Sequence, residues 1–296
     1  MSQLEKTVDA AIQIYGKPYQ TAATLYSLAR HSERWISTVF VSLDRRQPEH
    51  FDFRALLKDL PFRVRWHRPG FWLGSTTIQP SWKLRIAPYR RSIRYQFAWE
   101  ETRQRFLFVT HNDMLYRGDL IGAYLDGIGN AAAIGSVGQC WNCEANYGGV
   151  CSSDRYREYR PTPEQYIQLL ASTRSGPRRS RYPDMSGLAP AWPLPECRLN
   201  EFAALINMDV ARPLSYPKGP VLPFGGMFGL DLGAHWFRQM CTLGRDIRHF
   251  NFTPLASHGW AMDGYGGDVS ANDPELYRQS EQMALELLRS EYGWSK

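Results

Sequence analysis

The stretch Arg105-Phe-Leu-Phe-Val-Thr-His-Asn-Asp-Met114 decides how this chain is read. Phe106 to Val109 is a short apolar run of the kind that forms a buried strand. It stops abruptly at Thr110-His111-Asn112-Asp113. Polar, metal-capable side chains at the carboxyl end of a core strand lie where open α/β sheets bind their ligands. Asp113 can offer oxygen to a hard divalent cation, and such a cation can hold a diphosphate. The competing reading of Asp113 is a strand-end or turn aspartate satisfied by backbone N–H groups.

Upstream of this stretch, strand and helix patterns alternate. Val8 to Tyr15 has the length and composition of a strand, Gly16-Lys17-Pro18 is a turn, and residues 20–30 set Ala23, Leu25, Leu28 and Ala29 at helical spacing. Trp35 to Leu43 is the clearest strand and ends at Asp44. Phe62 to Trp66 is a shorter one, followed by a Gly/Pro-rich loop from Pro69 to Pro80 and a helical pattern from Ser92 to Arg103. Such alternation predicts an α/β fold with a mostly parallel, doubly wound sheet. Its crossovers would bring Tyr15, Asp44 and Asp113 to one edge.

The middle of the chain differs. Residues 138–200 are rich in Gly, Pro, Ser and Arg and carry four of the five cysteines. They read as an irregular, Cys-containing insertion between a first half at 1–137 and a last part at 201–296. Thr162 to Ser172 starts well as a helix, with Thr162 as N-cap, Pro163 in the first turn and Gln165 at the capping-box position. Glu196 to Met208 reads as a second helix, Gly225 to Asp231 as a short buried strand, and Leu232 to Leu243 as a helix. A strand around Phe250 precedes a turn-rich run from Ser257 to Asp268, and Asn272-Asp273-Pro274-Glu275 opens a last helix to Tyr292.

At 296 residues with 43% hydrophobic and 22% charged residues, the chain suits a soluble globule with a substantial core. It holds no run near the roughly 18 apolar residues of a membrane span. The first residues lack the apolar core of a signal peptide. The expected location is cytoplasmic, with a peripheral place at the inner membrane face left open. The net charge of +6 favours an acidic partner without saying which. Its densest clusters are Arg85 to Arg94 and Arg178 to Arg181.

The opening strand and turn, the strand ending in Asp44 and the strand ending in His111-Asn112-Asp113 together resemble the nucleotide-sugar-binding half of GT-A-fold glycosyltransferases, closest to the broad family-2-like group. The likeness covers residues 8–130, with weaker echoes at 224–260. It implies an enzyme that moves a sugar from a nucleoside diphosphate donor of UDP or GDP type to an acceptor the sequence does not identify. Tyr15, Asp44, Asn112 and Asp113 would bind the donor. The family's Asp-x-Asp motif holds a divalent metal, Mn²⁺ or Mg²⁺, on the diphosphate. Here His111 stands at its first acidic position. The metal ligands that the resemblance implies are Asp113, His111 and a late histidine, His258, and imidazole suits Mn²⁺ better than Mg²⁺. The Glu-Asp pair of inverting members is missing, so Asp231 or Asp263 is left as candidate general base. Gly225-Gly226 would let an acceptor or phosphate approach the backbone.

Cys140, Cys143, Cys151 and Cys197 form a second constellation. A Cys-x-x-Cys pair is a knuckle for tetrahedral zinc, and the two later cysteines could complete a structural Zn²⁺ site; scattered buried thiols are the alternative. Cys241 lies in a helical pattern and reads as a core residue. The aromatic loop from Gly70 to Trp82 is either an acceptor platform, a lid, or a loop anchored on the sheet. The cysteine knuckle and the arginine clusters also fit a rival function, a non-catalytic zinc-stapled module that binds nucleic acid or another polyanion.

Overall fold

The structure is a computed structural model that describes residues 6–74, 78–172, 192–261 and 273–294. Strand β1 (Val8–Ile14) runs parallel to β2 (Ile36–Leu43) and to β4 (Phe106–Thr110), and β2 runs parallel to β3 (Arg63–His67). A helix, Pro18–Ser32, makes the crossover from β1 to β2. β6 (Ala133–Val137), β7 (Leu199–Asn207) and β8 (Ile247–His249) complete a seven-stranded sheet in the order β3-β2-β1-β4-β7-β6-β8. Only β7 runs against its two neighbours, so the sheet is mostly parallel and the α/β class is as expected.

Alternation along the strands builds two apolar layers. Val8, Ala10, Ile12, Phe106 and Phe108 face the helices Pro18–Ser32 and Pro274–Tyr292, whereas Ala11, Leu107 and Val109 face the helices Gln96–Glu101 and Ala234–Thr242. A two-residue period on both faces is what a sheet covered on both sides requires. The cysteine-bearing segment belongs to the second layer: Cys143, Cys151, Tyr156, Tyr166 and Cys197 are buried there.

The helix expected over 196–208 is a strand. Leu199–Asn207 is rich in Ala, Leu and Glu, which favour helix, yet all nine residues are buried in the slot between β4 and β6. Tertiary pairing overrides propensity here. No strand forms over 225–231; the only pairing there is an isolated bridge between Gly225 and Arg94. A Cβ on Gly225 would collide with the Arg94 carbonyl, so the backbone that approaches this glycine is the chain's own. The strand placed around Phe250 ends at His249. Thr162 and Gln165 do form the reciprocal capping box, at 3.2 and 2.9 Å.

A two-stranded ladder outside the main sheet was not visible in the sequence. β5 (Met114–Tyr116) follows directly on Asp113 and pairs antiparallel with β9 (Ala256–His258), setting Met114 opposite His258. This short ladder positions the site.

Candidate metal and donor site

β1, β2 and β4 are adjacent and parallel, so their carboxyl ends meet at one edge. Tyr15, Asp44 and His111 to Asp113 follow these ends directly, which gives the clustering expected from topology. His258 arrives from 145 residues further on because the β5–β9 ladder carries it there, and Gly259 N donates to Asp113 O at 2.9 Å.

The donor atoms of His111, Asp113 and His258 lie within 4.8 Å of one another. His258 Nε2 is 3.3 Å from Asp113 Oδ1 and 3.3 Å from His111 Nδ1, and His111 Nδ1 is 3.8 Å from Asp113 Oδ1. Three donors bound at about 2.0–2.2 Å to one ion stand roughly 3.0–3.6 Å apart; two sides of the triangle lie in that range and the third, at 3.8 Å, is slightly longer. Asp113 is 1% exposed, and its Oδ1 has no well-formed hydrogen bond. Two imidazole nitrogens and a carboxylate oxygen turned toward one point are a donor set for a transition metal.

Charge around the triad keeps it ready to coordinate. Burial works against the charge of Asp113, but Lys17, and then His258, outweigh it and hold the carboxyl well below the usual carboxylate range. Burial lowers the pKa of His111, with Glu201 and Asp113 opposing, which favours the neutral imidazole whose lone pair a metal needs.

Three residues that the sequence reading missed complete the site. Lys17 donates from Nζ to Asp113 Oδ2 at 2.7 Å and is itself buried. Its backbone is left-handed, at φ 55°, which is uncommon for a residue with a side chain. The ion pair and a hydrogen bond from its N–H to Tyr277 Oη, at 3.0 Å, hold it there. Glu201 of β7 places Oε1 3.4 Å from His111 Nε2, the nitrogen away from the triad. Metal-ligating histidines characteristically turn their second nitrogen to a carboxylate in this way. Burial opposes Glu201's charge, and Arg198, 3.4 Å away, and His111 more than reverse it, holding the carboxyl far below its ordinary value. Glu201 breaks the apolar run of β7, which is the one sign of it in the sequence.

Arg198 continues the network to Asp231, 3.5 Å from its guanidinium. Asp231 Oδ2 also accepts from Gln139 Nε2 at 3.0 Å, and its Oδ1 from Leu232 N at 2.8 Å. This candidate base therefore connects to the triad through Arg198 and Glu201. Asp263, the alternative, lies outside the described residues. Asn112 turns to the β1 loop, donating to Gly16 O at 3.2 Å and Thr21 Oγ1 at 3.1 Å. Asp44 accepts from Gln13 Nε2 at 2.7 Å, and burial raises its pKa despite that bond and the nearby Arg94. Tyr15 is half-buried at the end of β1.

Of the aromatic loop, Phe71, Trp72 and Trp82 are exposed, the last by 65%. Gln79 ties the loop to Met227: its N donates to Met227 O at 2.7 Å, and its Oε1 accepts from Met227 N at 3.1 Å. Arg90 and Arg91 do not face solvent alone: they pair with Glu100 and Glu101 at 2.6–3.1 Å. Arg178 to Arg181 lie outside the described residues. Cys140, Cys143, Cys151 and Cys197 are free thiols that line one small cavity.

No family model and no curated protein matches the chain by sequence. Solved structures to which it is similar include several of glycosyltransferases. Core-mannan synthase A of Aspergillus fumigatus, in its Mn/GDP form, is 8% identical over 85% of this chain and 74% of that one, at a TM-score of 0.45. Glucosyl-3-phosphoglycerate synthase of Mycobacterium tuberculosis, with Mn²⁺, UDP and phosphoglyceric acid, is 13% identical over 99% and 80%, also at 0.45. A mannosyltransferase of Pyrobaculum calidifontis, with GDP-Man and Mn²⁺, is 9% identical over 96% and 75%, at 0.44.

Proposed function

We propose that this chain is a metal-assisted glycosyltransferase that takes its sugar from a nucleoside diphosphate donor. The observation that carries the reading is the convergence of His111, Asp113 and His258 at the carboxyl ends of adjacent parallel strands, beside the loops after β1 and β2. A crevice outside such strand ends is where α/β sheets bind nucleotides. His111 Nδ1, His258 Nε2 and Asp113 Oδ1 would hold the ion, with two imidazoles favouring Mn²⁺ over Mg²⁺. When bound, such an ion supplies positive charge to a leaving diphosphate.

The chain's own residues do the remaining work. Asp44 and Tyr15 would receive the nucleoside, and Asn112 ties the loop after β4 to Gly16 of the β1 loop and to Thr21 of the helix that follows it. Lys17 neutralises Asp113 before metal arrives. Asp231 is the proposed base for the acceptor hydroxyl, held in place by Gln139 and Arg198. No helix among the described residues is long and apolar enough to cross a membrane.

The test is Asp113→Ala. Sugar transfer from the cognate donor should fall by at least about 100-fold and metal-dependent nucleotide binding should disappear. Unchanged binding and turnover would remove the metal assignment. Steep salt-dependent binding of an oligonucleotide, with no response to any nucleotide sugar, would replace the reading with a polyanion-binding module.

A further inference from the structure

Four of the five cysteines meet at one place that the donor site does not use. Cys140 and Cys143 flank a single helical turn after β6, Cys151 follows the next turn, and Cys197 stands two residues before β7. All four line one cavity of about 10 Å³, together with Glu196. That volume is about one water-sized sphere. Gln139, Asn146, Ser152, Ser153 and Tyr156 also line it. Four thiols lining one small cavity are a ligand set that suits a soft cation.

We propose that Cys140, Cys143, Cys151 and Cys197 bind one structural zinc ion. Together they are the four soft ligands of a closed tetrahedral site. Among the described residues only His111, Asp113 and His258 bring their donors together at ligand spacing, so the sulfurs ring the void more widely than in a loaded site. Sulfurs around zinc stand about 3.8 Å apart, so loading would draw the thiols inward by side-chain rotation. Cys140 Sγ now lies 3.1 Å from Ser153 Oγ, and Cys151 Sγ lies 3.7 Å from Ser152 O, contacts that such rotations would exchange for metal bonds.

The staple has a structural purpose that reaches the donor site. Gly138 N donates to Arg198 O at 2.7 Å and Gln139 N donates to Glu196 O at 2.9 Å, so the cysteine loop already runs beside the entry to β7. Gln139 directly precedes Cys140, and Arg198 directly follows Cys197. These two residues hold Asp231, and Arg198 also faces Glu201. An ion joining Cys140 to Cys197 therefore fixes the acidic side of the candidate active site from behind, away from the triad.

The experiment is elemental analysis of the full-length protein purified without chelator, paired with a mercurial titration read by a zinc indicator. About one zinc per chain is expected, released as four thiols are modified. Cys143→Ser with Cys197→Ser should lower the content below about 0.1 per chain, whereas Cys241→Ser and Asp113→Asn should leave it unchanged. The wild-type titration decides the matter even if the double variant does not fold. Zinc below about 0.1 per chain in freshly purified wild type, with all thiols reacting freely, would overturn the proposal. So would zinc that is lost in Asp113→Asn and kept in the cysteine variant. Neither outcome bears on nucleotide-sugar binding, which is read separately.

Discussion

Replacing Glu201 by Gln separates the metal site from a mere cluster of buried charges. The carboxylate touches no donor atom of the triad; it lies 3.4 Å from the far nitrogen of His111. Asp113, Glu201 and Asp231 face Lys17 and Arg198, a formal charge of −1 over these five residues. Glu201→Gln keeps the shape and an acceptor for His111 Nε2 but brings that balance to zero. An arriving divalent cation then meets less attraction and a less basic imidazole. Loss of a carboxylate behind a ligating histidine weakens metal binding about 10–100-fold, or roughly 1.4–2.7 kcal/mol. Titration calorimetry of Mn²⁺ into the protein with saturating nucleotide measures this directly. Arg198 keeps Asp231 as a partner, so the variant should remain folded. Mn²⁺ affinity within twofold of wild type, in a folded variant, would refute the argument that His111 is a ligand backed by Glu201.

Lys17→Met should destabilise the metal-free protein by about 3–5 kcal/mol, because it leaves Asp113 buried and charged. Mn²⁺ should then raise the melting temperature more in the variant than in wild type; equal shifts would show that Lys17 and metal do not share the carboxylate. Asp231→Asn should lower kcat by at least about 100-fold with little change in donor affinity, measured by steady-state transfer once an acceptor is found. Glu281 accepts from Tyr19 N and Gln20 N at the start of the Pro18–Ser32 helix, and burial raises its pKa from 4.5 to about 7 despite these bonds. A raised carboxyl contributes stability that is full below pH 4.5 and lost as pH rises through 7, here about 3 kcal/mol. Urea unfolding of Glu281→Gln across pH 5 to 8 should lack that decline. Asp113 and Glu201 are depressed, so their contributions run the other way and are lost as pH falls below the ordinary carboxylate range.

The first half of the fold is legible because its strands are apolar runs that stop at polar residues, as at Val109-Thr110 and Leu43-Asp44. Parallel topology then places their ends together with no contact needing to be known. His258 was reachable only through the resemblance, since the three-residue strands that deliver it are too short to show a period. β7 misled because Glu, Ala and Leu favour helix, and the slot that makes it a strand is formed by distant segments. Glu201 and Arg198 were lost with it. Lys17 reads as an ordinary turn residue, and only burial against Asp113 reveals its part. The Cys-x-x-Cys pair is visible as a candidate knuckle, while the place of Cys197 beside the other three depends on the whole sheet.

The central claim is a metal-dependent nucleotide site, and a thermal-shift panel of UDP, GDP, CDP and TDP with and without Mn²⁺ tests it most directly. One nucleotide at about 100 times its Kd should raise the melting temperature by roughly 5 °C, only when Mn²⁺ is present, and Asp113→Asn should abolish the shift. No shift with any nucleotide on folded protein, or a shift indifferent to both Mn²⁺ and Asp113, would contradict the account.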